Sequence, residues 1–456
     1  MARLTFCGGA RSVTGSNYFL ETKNSKILID CGLTQGGEHC PDVNWRAFLY
    51  DPSTIDAVLV THAHADHLGL VPRLVNKGFK GAIYATKPTL GFAPVMLADS
   101  QEIIAKECKN KHQEPLYSQE DVKQCEQFFH PVEYKEMVHI TPDIRVRFRD
   151  AGHILGSASI EVWITEDEHE KKFVFSGDLG NPPTPLLAPI DYIEDAEYVL
   201  METTYGDRMH EDKEERLYLL KHVIEDTVQK NGVLMIPSFA LERTQEILFE
   251  LNHLVENAIV PPIKVFLDSP LAIRATEVYK QSNEFFNRKA TNLILNGDDI
   301  FDFPNLSLTL TTEESKAIND VPPPKIIIAG SGMSNGGRIL HHEMRYLPSP
   351  QNTILFIGYQ AHGTLGRAIV EGHDEVTVLG ESIPVNARIE SIGGYSAHAD
   401  QNGLLRWISA INQGNNLKKV FCVQGEEEAA TVFADIIKSE LKVEATVPQT
   451  RDVFEF

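Results

Sequence analysis

The chain has 456 residues, which predicts two or three domains, and its 42% hydrophobic and 23% charged residues are typical of a soluble globular protein. A formal net charge of −22 excludes a protein that coats nucleic acid through bulk positive charge, although a nuclease with a locally positive cleft stays compatible with it. No apolar run is long enough to cross a membrane, and the six scattered cysteines predict reduced thiols and a cytoplasmic location.

The first 206 residues are predicted to be rich in short strands. Apolar runs and alternating patterns, separated by turn residues, carry this prediction. In chain order we predict strands at 4–7, 17–21, 26–30, 55–60 and 146–149, and helices at 68–75, 89–107 and 119–129.

The pattern changes at about residue 207, where helices begin to alternate with short apolar strands. We predict helices at 211–230, 241–257 and 270–287, and strands at 232–237, 264–268, 325–329 and 353–357. Such alternation predicts a mostly parallel sheet with helices on its faces. From residue 369 the style of the first segment returns. The predicted organisation is therefore an outer domain made of 1–206 and 369–456, with 207–368 inserted as a second domain.

The stretch Thr61-His62-Ala63-His64-Ala65-Asp66-His67 has four potential metal ligands within six residues. It follows the predicted strand at 55–60, which can deliver the loop to one edge of a sheet. Imidazole nitrogens and carboxylate oxygens suit zinc, and this density of them suits two ions. The alternative is a polar loop with histidines placed by chance.

Four more apolar strands end in a polar residue that can bind or support a metal. These residues are Asp30, His153, Asp178 and Glu202. Each alone would be read as structural, and Asp30 would be an ordinary turn aspartate. Together with the 61–67 loop they indicate one site, in which Asp30 orients the loop by accepting hydrogen bonds.

These motifs resemble the metallo-β-lactamase fold and, within it, the β-CASP branch of nucleic-acid-processing nucleases. The resemblance covers essentially the whole chain and extends to RNA endonucleases similar to the cleavage and polyadenylation endonuclease subunit. It adds Glu202 at a strand end, Ser396 and His398 in a Ser-Ala-His motif, and the loop 358–367. It implies an α/β protein: a metallo-β-lactamase αββα sandwich with an inserted β-CASP α/β domain.

The resemblance also implies residue roles. One zinc ion would be held by His62, His64 and His153, and a second by Asp66 and His67, with Asp178 bridging them. Asp30 would support the ligands. The implied catalytic residues are Asp66, His398 and Glu202, with His398 near the leaving group.

Residue 424 departs from the family pattern. RNA-cleaving members have a histidine ligand in a V-H-G-E context, whereas this chain has Val423-Gln424-Gly425-Glu426. A carboxamide oxygen is a poorer zinc ligand than imidazole. Three interpretations are open: a weakly bound second metal, a site with an altered ligand, or an engineered substitution that disables the enzyme. DNA-cleaving members also lack this histidine.

Candidate substrate contacts lie in loops. The glycine-rich stretch 330–338 runs from a strand into a helix, so its amides near Ser331, with Arg338 as counter-charge, could hold a phosphate. The alternative is a turn that needs positive φ. Arg243 is a weaker candidate. Ser396 could bind a phosphate oxygen or cap the following helix. His362 lies in the family-like loop and is a further residue to place.

The function that these residues imply is zinc-dependent hydrolysis of phosphodiester bonds in single-stranded RNA. Two zinc ions per chain are expected, the second bound weakly. The alternatives are a catalytically weakened RNA-binding scaffold and a DNA-directed nuclease of the same branch, both suggested by Gln424. A small-substrate hydrolase is disfavoured by the long insertion. No membrane partner is expected, and a homodimer is a candidate assembly.

Overall fold

The computed structural model describes residues 2–36, 41–210, 215–358, 360 and 363–456. The chain forms two compact units. Unit 1 comprises Met1–Pro182, Pro189–Met209 and His398–Phe456, and unit 2 comprises Pro183–Ala188 and His210–Ala397. The chain therefore leaves unit 1 and returns to it, as an inserted domain requires.

The strands of the described residues are three to nine residues long. In chain order they are β1 (Arg3–Gly8), β2 (Asn17–Glu21), β3 (Lys26–Ile29), β4 (Ala57–Leu59), β5 (Ala82–Thr86), β6 (Phe129–Val132), β7 (Met137–Thr141), β8 (Ile144–Asp150), β9 (Ala158–Glu166), β10 (His169–Phe175), β11 (Tyr198–Glu202), β12 (Val233–Pro237), β13 (Lys264–Leu267), β14 (Leu306–Leu308), β15 (Lys325–Ala329), β16 (Thr353–Phe356), β17 (Glu375–Val378), β18 (Glu381–Pro384), β19 (Arg388–Ser391), β20 (Lys419–Val423), β21 (Glu444–Thr446) and β22 (Val453–Glu455).

The α-helices of the described residues range from a single turn to 25 residues. They are α1 (Ala65–Leu68), α2 (Val71–Asn76), α3 (Lys87–Lys111), α4 (Gln119–Cys125), α5 (Arg216–Gln229), α6 (Arg243–Glu256), α7 (Pro270–Gln281), α8 (Arg288–Leu295), α9 (Thr312–Ala317), α10 (Ile339–Tyr346), α11 (Leu365–Val370), α12 (Gln401–Asn412) and α13 (Glu427–Leu441). No helix in the described ranges combines the length and apolarity that crossing a bilayer needs.

Unit 1 contains two seven-stranded sheets, with orders β22-β1-β2-β3-β4-β5-β6 and β21-β20-β11-β10-β9-β8-β7. Apolar side chains from both sheets, including Phe6, Leu59, Phe148 and Phe173, pack in one buried cluster. A second cluster joins the other face of the second sheet to α12 and α13, where Trp407 and Phe433 are buried. The predicted αββα sandwich is therefore confirmed.

Unit 2 is built on a six-stranded parallel sheet with the order β14-β13-β15-β12-β16-β19. Its central strands are buried at every position and mostly apolar, as expected when helices cover both faces. The predicted α/β alternation of the insertion is therefore present.

Two predicted elements differ from the structure. The helix predicted at 119–129 ends at Cys125, because Phe129–Val132 pairs with β5 as the edge strand β6. The segment after residue 369 was assigned to the outer domain, but β19 pairs in parallel with β16 in the sheet of unit 2. The compact units accordingly divide at Ala397 and His398, and the boundary predicted at 369 remains an interpretation of sequence style alone.

Candidate metal centre

The ligand-bearing residues of unit 1 gather because parallel strands end at the same edge of a sheet. In the first sheet β3 and β4 are parallel, so Asp30 and His62 follow neighbouring strand ends. In the second sheet β8, β10, β11 and β20 run in one direction, since β8 and β10 both pair antiparallel with β9. Their carboxyl ends lead to the polar residues His153, Asp178, Glu202 and Gln424.

Four of these side chains form a compact ligand group: His62, His64, His153 and Asp178. One ligand atom from each lies within 4.8 Å of all the others. Nε2 of His62 and Nε2 of His153 both lie 3.5 Å from Oδ2 of Asp178. Three imidazoles and a carboxylate converging in a mostly buried pocket match the donors of a zinc site.

His67 lies near the other carboxylate oxygen of Asp178, and Asp66 lies near His67. Nε2 of His67 is 3.3 Å from Oδ1 of Asp178 and 3.8 Å from Oδ2 of Asp66. Both residues belong to the one-turn helix α1, which places them close together. Among the described residues, they complete no third group of ligand atoms of the kind that His62 belongs to.

Asp30 supports the 61–67 loop by accepting hydrogen bonds from it. Its Oδ2 accepts from Nδ1 of His67 at 2.7 Å, and its Oδ1 accepts from the backbone N of Thr61 at 2.8 Å. The hydroxyl of Thr61 also bonds Asp30 and lies 3.1 Å from Nδ1 of His62. Sequence reasoning gave Thr61 no role, although its place at the start of the His-rich loop was the available signal.

Glu202, which is buried, and His398, which is half-buried, form a pair beside this group. Nδ1 of His398 lies 3.2 Å from both carboxylate oxygens of Glu202, and Oε1 of Glu202 also accepts from the backbone N of Leu179 at 2.6 Å. A β-bridge between Gly180 and His398 fixes the position of the histidine. Glu202 therefore orients the imidazole of His398, whose Nδ1 is 3.9 Å from Oδ2 of Asp178.

Gln424 points into the same pocket and is 2% exposed. Its Nε2 donates to Oδ1 of Asp178 at 2.9 Å and lies 2.8 Å from Nε2 of His67. The position that departs from the family pattern is therefore at the centre of the site.

Burial and charge shift the pKa values in this pocket. Burial lowers the pKa of His62 well below its usual value, which favours the neutral imidazole that a metal needs. Burial would lower the pKa of His67 as well, but the carboxylates around it outweigh burial and raise it. Burial raises the pKa of Asp66 to about 6. Desolvation would lower the pKa of His398 as well, but Glu202 outweighs this effect and raises it to about 9.

Two glycines allow the loops of the site to approach closely. A Cβ on Gly180 would lie 1.7 Å from the backbone O of Gly152, next to His153. A Cβ on Gly32 would lie 1.6 Å from the backbone O of Asp66. Neither position has room for a larger residue unless the ligand loops move apart.

Comparisons with known proteins match these features. The metallo-beta-lactamase superfamily matches residues 11–222, the Beta-Casp domain matches 244–369, and the Zn-dependent metallo-hydrolase RNA specificity domain matches 382–448. The chain is 37% identical to Ribonuclease TTHA0252 of Thermus thermophilus over 95% of this chain and 96% of that protein. This chain belongs to the β-CASP branch of the metallo-β-lactamase superfamily.

Other β-CASP relatives extend the comparison. An RNase J-like protein of Methanocaldococcus jannaschii is 32% identical over 98% of both chains. The transcription termination factor FttA of Methanosarcina mazei is 33% identical over 97% of this chain and 70% of that protein. A solved structure of a protein of unknown function from Enterococcus faecalis V583 shares the fold, with a TM-score of 0.55 at 12% identity over 99% of both chains.

Membership of this family implies a divalent metal, and the donor set fits one. The four-residue group provides three imidazoles and one carboxylate at a single point, with Asp30 and Thr61 supporting the histidines.

The two arginines predicted to contact substrate lie in unit 2 and have internal partners. Arg338 bonds Oδ1 of Asp268 at 2.7 Å and the backbone O of Thr309 at 2.9 Å. Arg243 is buried, pairs with Glu246 and donates to the backbone O of Tyr395 at 2.5 Å. Contact with substrate stays a prediction for both, and it would have to compete with these bonds.

The predicted serine contacts also lie in unit 2. The backbone N of Ser331 donates to the O of Gly336, and its hydroxyl accepts from the N of Asn335, so the loop holds itself together. The reading of Ser396 as a helix cap is wrong, because α12 starts at Gln401 and is capped by Asp400. Its phosphate contact stays a prediction. His362 lies outside the described residues.

Proposed function

We propose that this chain is a zinc-dependent ribonuclease that hydrolyses phosphodiester bonds in single-stranded RNA. The observation that carries the proposal is the group of His62, His64, His153 and Asp178 beside the Glu202–His398 pair. The names of two relatives, Ribonuclease TTHA0252 and RNase J-like protein, and the RNA specificity domain at 382–448 support RNA as the substrate.

The residues of the site have two tasks, metal binding and proton transfer. A zinc ion held by the four-residue group would polarise a phosphoryl oxygen and lower the pKa of a bound water. His398 is assigned to the leaving oxygen, because Glu202 binds its Nδ1 and leaves Nε2 as the atom that would deliver a proton. Burial of the group excludes bulk water, which strengthens the electrostatic interactions of the pocket.

A catalytically weakened RNA-binding scaffold is the second candidate. Gln424 favours it, because a carboxamide stands where RNA-cleaving members of the family have a histidine ligand. The intact four-residue group favours catalysis, since a scaffold needs no such set of converging donors. A DNA-directed nuclease is the third candidate, and the choice of substrate tests it. The cytoplasmic location and the homodimer stay predictions.

Cleavage of end-labelled single-stranded RNA, beside a DNA of the same sequence, tests the proposal. We expect the zinc-loaded chain to cleave RNA at internal bonds, and chelator or Asp178→Asn to abolish cleavage. Asp435→Asn, an exposed aspartate on α13, is the matched control and should cleave like the parent. Binding of RNA without cleavage would establish the scaffold instead, and preferential cleavage of DNA would overturn the choice of substrate.

A further inference from the structure

Asp178 presents its two oxygens to different partners. Oδ2 faces Nε2 of His62 and Nε2 of His153, each at 3.5 Å, within the four-residue ligand group. Oδ1 faces Nε2 of His67 at 3.3 Å and accepts from Nε2 of Gln424 at 2.9 Å. One oxygen is thus directed at a cation site, and the other is already hydrogen-bonded to protein.

The amide of Gln424 is matched to two acceptors. Nδ1 of His67 donates to Asp30, so Nε2 carries the lone pair when the ring is neutral, the form that a metal ligand must have. An amide nitrogen can only donate, and its two hydrogens meet Nε2 of His67 at 2.8 Å and Oδ1 of Asp178 at 2.9 Å. With the amide turned around, its oxygen would face Oδ1 of Asp178, which can only accept, and that hydrogen bond would be lost.

The backbone holds this side chain in place. The N of Gln424 donates to the O of Gly9 at 2.7 Å, and its O accepts from the hydroxyl of Thr204 at 3.0 Å. Its φ of 45° places it in the left-handed region, a conformation that bulky residues rarely adopt without a structural reason. The hydrogen bonds of its backbone N and O therefore fix Gln424, and its amide is shielded from solvent.

The amide contacts two of the residues that a second cation would need as ligands, His67 and Asp178. Such a cation would draw on Asp66, His67 and Asp178, and zinc requires ligand distances of about 2.0–2.2 Å to nitrogen and oxygen. The Gln424 nitrogen lies at hydrogen-bond distance from both His67 and Asp178, engages their ligand atoms and offers no lone pair of its own. The residues present thus fit one divalent cation on the Oδ2 side of Asp178, and not a second on the Oδ1 side.

We propose that Gln424 replaces the second metal with a hydrogen-bond donor, so that this chain holds one tightly bound divalent cation. The inference rests on the cation site of the proposed function. It revises the two zinc ions per chain that the family resemblance implies. Gln424 is then a positioning residue, because it fixes Asp178 and His67 from the side opposite the cation.

Metal content tests this without reference to activity. The full chain is stripped with chelator, loaded with excess Zn²⁺ and dialysed against metal-free buffer, and bound zinc per chain is measured by mass spectrometry. We expect one zinc for the parent and two for Gln424→His and Gln424→Glu, which remove the amide and add a ligand. Gln413→His, an exposed glutamine after α12, is the control and should bind one.

Loading with Mn²⁺ gives an independent readout, because two manganese ions that share a carboxylate couple magnetically. We expect the electron paramagnetic resonance spectrum of an isolated ion for the parent and of a coupled pair for Gln424→Glu. Two tightly bound ions in the parent would overturn the inference, and this result does not depend on how any variant folds. One ion in folded Gln424→His and Gln424→Glu would also overturn it, because the amide would not be what excludes the second. No bound metal in any chain would overturn the proposed function itself.

Discussion

His398 shares its surroundings with the ligand group, yet its geometry indicates a different task. Nδ1 is directed at Glu202, and the ligand atoms of Asp178, Glu202 and His398 also lie within 4.8 Å of one another. These three residues could therefore hold a cation themselves. The bond between His398 and a buried carboxylate fits either task, because metal-binding histidines also direct one nitrogen at such a partner. We assign His398 to proton transfer because it lies outside the group of three imidazoles and Asp178.

Replacement of His398 separates the two tasks. We expect His398→Ala to lower the turnover number for RNA by about 10²–10⁴-fold, the usual contribution of a general acid. Bound metal per chain should not change. His373→Ala, an exposed histidine in a turn, is the control for loss of an imidazole. If the metal were lost together with turnover, His398 would be a ligand and our assignment would fail.

The sequence predicts which residues form the site more easily than it predicts the contacts between them. A run of four ligands in six residues and single polar residues at strand ends are visible in a one-dimensional pattern. The structure brings the predicted metal residues together, and their binding of metal stays a prediction. The two bonds of the Gln424 amide could not be foreseen, because they depend on which atom of Asp178 faces which neighbour.

At the scale of elements, the site depends on two loops whose backbones lie in direct contact. The contact leaves no room for a Cβ atom at Gly180. Gly180 faces the backbone of Gly152, so the loop after β10 packs directly on the loop after β8. These two loops carry Asp178 and His153, which lie 3.5 Å apart at their ligand atoms. The glycine therefore sets the separation of two ligands from different strands.

Gly180→Ala tests that dependence. The added Cβ would lie 1.7 Å from the O of Gly152, so the loops must separate, at a cost of about 1–3 kcal/mol in the free energy of unfolding. We expect weaker metal binding, measured by competition with a chelator, and a lower melting temperature. Gly36→Ala, where a Cβ meets nothing within 4 Å, should change neither. Unchanged metal affinity in Gly180→Ala would show that the loops can yield without moving the ligands.

Element predictions failed where tertiary pairing decides the outcome. Residues 126–129 continue an apolar helical pattern, yet Phe129–Val132 becomes a strand because the edge of β5 is open to it. Residues 388–391 resemble the strands of the outer domain but pair with β16 in unit 2. Local periodicity contains no information about which sheet edge is available, so such assignments need the folded chain.

At the scale of the whole molecule, the fold class was predictable because both units follow simple patterns. Strands of alternating polarity produced the sandwich of unit 1, and helix–strand alternation produced the parallel sheet of unit 2. The four-residue group lies wholly in unit 1, whereas unit 2 has a separate buried core around Ile327, Ile354 and Phe356.

Metal should therefore stabilise the two units unequally. At a free zinc concentration of 100 times the dissociation constant, binding adds about 2.7 kcal/mol, or roughly 5–10 °C, to the unfolding transition of unit 1. Calorimetry with and without chelator measures the shift, and hydrogen exchange assigns it to β3, β4 and β10 rather than β12 and β15. Asp178→Asn should abolish it. Equal protection of both sheets would contradict an effect confined to unit 1.

The pairing of β1 with β22 has a consequence for biosynthesis. Arg3, Leu4 and Thr5 align with Glu455, Phe454 and Val453, so β1 gains its outer neighbour only after the much later strand β22 has been synthesised. Until then its backbone donors and acceptors on that side face solvent or other nascent chains. The inserted unit can fold during this interval, since its sheet needs nothing later than β19. Translation speed between β19 and β22 would thus govern how long the unpaired edge of β1 stays open to aggregation.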